Sequence, residues 1–178
     1  MIETIRDYLP EDLFKRIMLS IDNLPWQIAR KMNPKSNSDN QFAFIQDYTS
    51  KLFKQTYMKA AGEEITQLLM NPYLKKHNLK MIRVLRSRTN MYIRTVNYQD
   101  ECGYHQDYVN PPNVKTLLIY MEDSDGCTQF KDTGQKIISE RNKAIIFPAS
   151  DFHQTVSQTN TLYRHNININ FLIPEDST

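Results

Sequence analysis

A short segment near the middle of the chain carries the residues best suited to chemistry. Residues 103–108 are Gly-Tyr-His-Gln-Asp-Tyr, so a histidine and an aspartate stand two positions apart. In an extended segment the side chains alternate between two faces, and His105 and Asp107 would therefore point to the same side. A second histidine, His153, follows 48 residues later, after an apolar run that is typical of a buried strand and a turn.

Two imidazoles and one carboxylate can hold a single divalent metal ion from one side. This ligand set is the facial triad of non-haem Fe(II) oxygenases, which leaves open coordination positions for substrates. The same ligands also suit Zn²⁺ with a water in the open position, as in a hydrolase. A binding module that keeps the three residues without catalysis is a further alternative.

The last predicted strand has a polar face. In residues 163–170 (Tyr-Arg-His-Asn-Ile-Asn-Ile-Asn), Arg164 and three asparagines occupy alternate positions, that is, one parity and therefore one face of the strand. The positions of the other parity are apolar or aromatic apart from His165. The polar face either meets solvent or lines a wet cavity. An arginine 11 residues after His153 would suit a cavity that holds a dicarboxylate, because guanidinium binds a carboxylate through two parallel hydrogen bonds.

The whole-chain properties are those of an ordinary globular protein. A length of 178 residues predicts one domain, and a net charge of +2 gives no electrostatic argument for nucleic acid or an anionic membrane. The two cysteines, Cys102 and Cys127, predict neither a disulfide framework nor a cysteine zinc site. The sequence contains neither a signal peptide nor an apolar stretch of about 20 residues, so we expect a cytoplasmic protein without a membrane span.

The pattern of elements changes along the chain. Residues 1–79 predict a short strand at 2–5, a helix from Pro10 to about Asp22, a polar loop at 33–40, a strand around Phe42 and Phe44, and a helix over about 60–70 that stops at Asn71-Pro72. From residue 80, short β-rich runs separated by turn signals predict nine strands, at 81–88, 90–96, 104–108, 114–121, 128–131, 136–138, 143–147, 155–157 and 163–173. An α+β, mainly β jelly roll (cupin-like) over 80–173, with the N-terminal helices packed on one side, fits best.

Four features occur together in the order found in a known family. They are His105-x-Asp107, the run 116–121 ending in 125–130 (Asp-Gly-Cys-Thr-Gln-Phe), the run 144–148 leading to His153, and Arg164 on the final strand. In these features the chain resembles the Fe(II)/2-oxoglutarate-dependent dioxygenases, particularly the prolyl 4-hydroxylase-like branch with its small bacterial and phage members. The resemblance covers roughly residues 81–173.

The resemblance implies a double-stranded β-helix and a set of site residues. Fe(II) would be held by His105, Asp107 and His153, and 2-oxoglutarate would chelate the iron. Arg164 would pair with the 5-carboxylate of 2-oxoglutarate. The arginine stands one position further from the histidine than is usual, so Arg141 or His165 are alternatives.

Further cosubstrate contacts come from the same comparison. Tyr120 matches a position that assists the arginine, and Tyr92 and Asn90 match cofactor-binding positions on the first core strand. The implied activity is hydroxylation of an unactivated C–H bond with O₂ and 2-oxoglutarate, supported by ascorbate in some members. A prolyl or other protein side chain is the first expected substrate, with a small molecule or a nucleobase as alternatives.

Overall fold

The computed structural model describes residues 1–29, 43–49, 56–79, 82–94, 98–109 and 113–173 of the chain. The described residues form two helices and ten strands. In chain order these are β1 (Glu3–Ile5), α1 (Glu11–Asp22), β2 (Gln27–Ala29), β3 (Ala43–Asp47), α2 (Thr56–Lys76), β4 (Arg83–Ile93), β5 (Val114–Tyr120), β6 (Cys127–Phe130), β7 (Lys136–Ile138), β8 (Lys143–Pro148), β9 (His153–Val156) and β10 (Tyr163–Leu172).

The strands form two antiparallel sheets. The large sheet has the order β1-β8-β5-β10-β4-β3-β2, and the small sheet has the order β7-β6-β9. Isolated bridges pair Glu101 with Val156 and His105 with His153, so the segment before β5 runs along the free edge of β9. This arrangement confirms the predicted jelly roll, and strands β1 to β3 show that residues 1–79 also extend the large sheet.

The two faces of the large sheet have different partners because side chains alternate along each strand. On one face Leu117, Ile119, Ile167 and Ile169 are buried in the main core with the apolar sides of α1 and α2. On the other face Leu118, Ile145 and Phe147 pack with residues of the small sheet. The helices therefore cover one face, and the opposite face is free to build a site against the small sheet.

Helix α2 is longer than the sequence predicted. It passes through Asn71 and Pro72 and ends at Lys76, so the predicted stop is wrong. Proline removes one backbone hydrogen bond and usually ends or bends a helix. Here the last turns are stabilised by tertiary packing, because Tyr73 is 1% exposed and its ring lies 5.0 Å from that of Phe171.

Two strand predictions also need correction. The predicted break between strands 81–88 and 90–96 is absent, because residues 88–92 lie within one strand, β4, and pair in register with β10 on one side and β3 on the other. Residues 104–108 are not a regular strand: only His105 forms a bridge, and the chain bends at Asp107. The sequence analysis missed β2, and the loop 33–40 and Phe42 lie outside the described residues.

Helix α2 and the sheet approach each other closely at Gly62. A Cβ at this position would lie 2.7 Å from Cβ of Tyr48. The tyrosine cannot swing aside freely, since its hydroxyl is hydrogen-bonded to Thr89 at 2.7 Å and to Gln46 at 2.9 Å. Neither helix in the described ranges is both long and apolar enough to cross a membrane.

We expect Gly62→Ala to destabilise the protein although alanine is the better helix former. Overpacking against Tyr48 costs about 1–3 kcal/mol, which exceeds the gain in helix propensity of about 1 kcal/mol. Urea unfolding measures the difference in the free energy of unfolding. Glu63→Ala, at an exposed position of the same helix, is the matched control. Equal stability of Gly62→Ala and the wild type would contradict the close approach.

Candidate active site

The three predicted metal ligands lie together at one end of a cavity between the sheets. The ligand atoms of His105, Asp107 and His153 are all within 4.8 Å of one another. His105 Nε2 is 3.9 Å from Asp107 Oδ1. A cation bound by these three side chains would have the two-histidine, one-carboxylate ligand set of a facial triad.

The two histidines are positioned by backbone pairing. The His105 N–H donates to the His153 carbonyl at 2.9 Å, and the His153 N–H donates back at 3.0 Å. Their rings lie 4.4 Å apart. His153 Nδ1 lies 2.9 Å from the carbonyl oxygen of Asp151, which can only accept, so Nδ1 carries the proton and Nε2 is left as the ligand atom.

Asp107 is fixed by hydrogen bonds from the large sheet. Its side chain is 2% exposed, and Oδ1 accepts from Arg86 Nη2 at 2.8 Å. Oδ2 accepts from Thr116 Oγ1 at 2.8 Å and from Asn170 Nδ2 at 2.9 Å, with Asn168 Nδ2 further away at 3.3 Å. The residue that bends out of the extended segment is thus bound to three neighbouring strands, β4, β5 and β10.

The electrostatics keep Asp107 and His105 ready to bind a cation at neutral pH. Burial by itself would raise the pKa of Asp107, but Arg86, the two histidines and the Asn170 hydrogen bond outweigh it and hold this pKa well below its usual range. Burial, and then the charge of His153, lower the pKa of His105 to about 4. At pH 7 Asp107 is therefore an anion and His105 is neutral, as metal ligands must be.

The cavity is lined mainly by polar side chains from both sheets. These residues are Arg88, Asn90, Tyr92, Cys102, His105, Leu118, Thr128, His153, Thr155, Asn166 and Asn168. The polar parity of β10 faces inward, because Asn166 is opposite Asn90 and Asn168 is opposite Arg88 in the β10–β4 register. The polar face of β10 therefore lines the cavity and does not meet bulk solvent.

Arg164 is fully buried next to this cavity. Its Nε donates to Gln158 Oε1 at 3.1 Å and its Nη2 donates to the Val156 carbonyl at 2.9 Å, while Nη1 is buried without a partner. The guanidinium lies 4.9 Å from the centre of the Tyr92 ring, which lines the cavity. A Cβ at Gly126 would lie 2.7 Å from Nε, so a glycine there gives Arg164 its space.

The other predicted cosubstrate residues are placed differently. Tyr92 and Asn90 line the cavity, and Asn90 Nδ2 donates to Asn166 Oδ1 at 2.7 Å. Tyr120 is fully buried, and its hydroxyl donates to Thr128 Oγ1 at 2.8 Å, so it reaches the cavity only through that threonine.

Neither alternative to Arg164 reaches the cavity lining. Arg141 forms a two-point ion pair with Glu11 at 2.8 and 2.9 Å. His165 is bound to Glu122, with Nδ1 at 2.5 Å from Oε1, and stacks near Trp26. Arg141 is therefore paired at the protein surface, and His165 is paired on the face of β10 that points away from the cavity.

Comparison with known proteins identifies the fold. No protein-family model matches the chain, and no curated protein sequence matches it. Similar solved structures include an oxidoreductase of the 2OG-Fe(II) oxygenase family from Burkholderia pseudomallei, with 11% identity, a TM-score of 0.74, and coverage of 96% of this chain and 84% of that one.

Two further structures extend this comparison. A prolyl hydroxylase from Trichoplax adhaerens, in complex with a hypoxia inducible factor peptide, has 12% identity, a TM-score of 0.64, and coverage of 96% and 83%. HygX from Streptomyces hygroscopicus, with nickel and 2-oxoglutarate bound, has 9% identity, a TM-score of 0.59, and coverage of 98% and 83%. The chain has the fold of the 2-oxoglutarate oxygenases.

The residues around the cavity fit a metal ion and a dicarboxylate. Histidine and carboxylate donors meet at one end, and several polar atoms nearby are buried without partners. These are Arg164 Nη1, Arg88 Nε, Asn90 Oδ1 and Asn168 Oδ1. Buried polar groups are nearly always hydrogen-bonded, and of these atoms the two arginine N–H groups are donors that a carboxylate could accept from.

Sequence reasoning missed the residues that support Asp107 and several that line the cavity. Arg86, Arg88, Thr116 and Thr128 stand on strands that were predicted, but their roles depend on which strands are neighbours. The only available signal was parity, since Arg86, Arg88, Asn90 and Tyr92 alternate along one strand. Parity alone does not say which face of a strand points inward.

We expect Asn170→Ala to weaken metal binding about 10- to 100-fold, because supporting hydrogen bonds orient a metal ligand. The variant removes donors to both Asp107 Oδ2 and Thr116 Oγ1. Calorimetric titration with Mn²⁺ measures the affinity. Asn166→Ala is the matched control on the same face of β10, because Asn166 bonds to Asn90 and not to Asp107. Equal losses in the two variants would refute the specific role of Asn170.

The metal-free protein should become less stable as the pH falls from about 6.5 to 4. In this window the unfolded chain takes up a proton at His105 that the folded chain does not bind, so the free energy of unfolding decreases. Allowing for the 30% exposure of the side chain, the loss is about 2 kcal/mol. Urea unfolding at several pH values measures it. His105→Gln should flatten the slope and the surface variant His77→Gln should not; equal slopes in all three proteins would contradict the assignment.

Proposed function

We propose that this chain is an Fe(II)- and 2-oxoglutarate-dependent oxygenase that hydroxylates an unactivated C–H bond. The observation that carries the proposal is the convergence of His105, Asp107 and His153 at one end of a polar cavity in a fold shared with 2-oxoglutarate oxygenases. Zinc hydrolases and binding modules use similar ligands, but neither accounts for a buried arginine with an unpartnered N–H beside the cavity.

The three ligands would hold Fe(II) from one side and leave the cavity side open. When bound, Fe(II) and 2-oxoglutarate supply the reducing electrons that allow O₂ to oxidise a C–H bond, with succinate and CO₂ as the coproducts. The protein contributes orientation: Asp107 is held by Arg86, Thr116 and Asn170, and His153 by the Asp151 carbonyl. These contacts fix the ligands before any substrate arrives.

The cosubstrate would be oriented by the arginine and by hydroxyl groups. Arg164 Nη1 has an unused N–H for the 5-carboxylate, and its charge is not matched by any carboxylate within ion-pair distance among the described residues. Tyr92 and Thr128 line the adjoining wall, and their hydroxyls can donate to the same carboxylate. Tyr120 would act indirectly by orienting the Thr128 hydroxyl. The proposal does not extend to an ascorbate site.

Aromatic side chains would keep water away from the reacting centre. The Phe147 ring lies 4.9 Å from that of His153 and 5.0 Å from that of Phe130. Phe147 and Phe130 are buried at 1% and 3% exposure. These two rings form an apolar layer beside His153, and asparagines of β10 line the cavity itself.

The substrate class rests on the comparisons alone. The peptide complex of the Trichoplax adhaerens prolyl hydroxylase supports a prolyl or other protein side chain as the substrate of this chain.

A zinc hydrolase is disfavoured by the cavity itself, because no Asp or Glu occurs among its described lining residues to act as a general base.

Anaerobic titration tests the proposal. We expect Fe(II) with 2-oxoglutarate to give a visible charge-transfer band in the wild type and none in His153→Ala. Arg164→Gln should need about 10- to 100-fold more 2-oxoglutarate, because a charged hydrogen bond to a carboxylate is lost. Arg164→Lys, which keeps the charge, should recover part of the affinity, and the far-UV circular dichroism of each variant checks folding.

Arg141→Gln is the matched control, since this arginine binds Glu11 at the surface and should leave the titration unchanged. In air, the wild type should also form succinate in an iron-dependent manner. Absence of both the band and succinate, together with tight zinc binding, would overturn the oxygenase proposal in favour of a hydrolase or a binding module.

A further inference from the structure

The cavity contains a second arginine that the proposed function does not use. Arg88 lines the cavity with His105 and His153, and it is opposite Asn168 in the β10–β4 register. Its Nε is buried and has no hydrogen-bond partner. A buried guanidinium N–H without a partner is a hydrogen-bond donor that a ligand in the cavity could use.

Arg88 forms no ion pair with a carboxylate in the described part of the chain, although Asp107 and Asp47 lie near enough to favour its charge. Arg86, the next inward residue of β4, is paired with Asp107 at 2.8 Å. Asp47 is the register partner of Arg88 on β3, but its carboxylate accepts from the backbone N–H and hydroxyl of Thr49. None of the ion pairs formed by described residues includes Arg88.

Burial and the neighbouring charge make this arrangement costly for the empty protein. Burial, and then the charge of Arg86, lower the pKa of Arg88. The side chain as a whole is partly exposed, but its buried Nε lacks the partner that a buried polar group normally has. An arginine kept in this position without a protein partner is suited to an anion that arrives with a ligand.

We propose that Arg88 binds a carboxylate inside the cavity, beside the metal ligands and separately from Arg164. Guanidinium matches the planar shape of a carboxylate and can donate two parallel hydrogen bonds to it. The inference rests on the proposed function, because Arg164 is there assigned to the 5-carboxylate of 2-oxoglutarate.

Two ligands could supply the second carboxylate. One is 2-oxoglutarate itself, through either of its carboxylates. The other is the oxidised substrate, which would then be an organic acid or a free amino acid and not a neutral prolyl side chain within a peptide. Both sources share the same chemistry at Arg88, and they differ in which binding constant depends on the arginine.

The test uses protein loaded with Mn²⁺, which replaces Fe(II) without turnover. Calorimetry gives the affinity for 2-oxoglutarate. In protein saturated with 2-oxoglutarate, paramagnetic line broadening detects binding of formate, L-proline and L-glutamate, each amino acid compared with its carboxamide. The variants are Arg88→Gln, Arg88→Lys and, as the matched control, Arg83→Gln at an exposed position of the same strand.

We expect Arg88→Gln to weaken binding of one class of carboxylate at least about tenfold, Arg88→Lys to restore part of it, and Arg83→Gln to change nothing. A loss confined to 2-oxoglutarate identifies the cosubstrate as the source. A loss confined to formate or the amino acids, but not their carboxamides, identifies the substrate.

The proposal is overturned if Arg88→Gln retains the Mn²⁺ affinity and circular dichroism of the wild type and binds every carboxylate probe as the wild type does. Failure of the proposed function gives a different result. In that case wild type and Arg164→Gln would both fail to bind 2-oxoglutarate, and the formate and amino-acid measurements, repeated without 2-oxoglutarate, would still compare Arg88→Gln with the wild type.

Discussion

The buried carboxylate of Asp107 is the constraint on which the site depends. A carboxylate at 2% exposure must be paired or fully hydrogen-bonded, and here Arg86, Thr116 and Asn170 supply the donors from three adjacent strands. These strands can provide the donors only when β4, β10 and β5 are neighbours in the correct register. The position of Asp107 in the candidate metal site is therefore a consequence of the order of strands in the large sheet.

The β10 strand serves two environments because its side chains alternate. Its apolar parity, with Ile167 and Ile169, packs under the helices, and its polar parity faces the cavity. Buried amides destabilise a core unless they are paired, so a face with Asn166, Asn168 and Asn170 is suited to a site and not to a core. Asn166 accepts from Asn90, and Asn168 and Asn170 donate to Asp107, so this polar face is largely paired with the residues of the site.

Most of the β architecture could be predicted from local patterns, because alternation and turn residues act over a few positions. Helix α2 shows where local reasoning ends. Pro72 predicted a stop, but burial of Tyr73 against Phe171 outweighed the lost backbone hydrogen bond. Similarly, the predicted break near Thr89 is absent because β3 and β10 pair with β4 on both sides. In both cases contacts between residues distant in sequence decided the outcome.

The sequence by itself determined the jelly-roll class and the proposed ligand set, since His105, Asp107, His153 and Arg164 have the residue types and spacing of a known arrangement. Tertiary structure decided how these residues are used. It turned the polar parity of β10 inward, brought Arg86 to Asp107, placed Tyr120 behind Thr128, and left Arg88 in the cavity without a carboxylate partner among the described residues. The physical reason is that parity gives a residue one of two faces, whereas only strand order and register determine which face is enclosed and which groups meet across it.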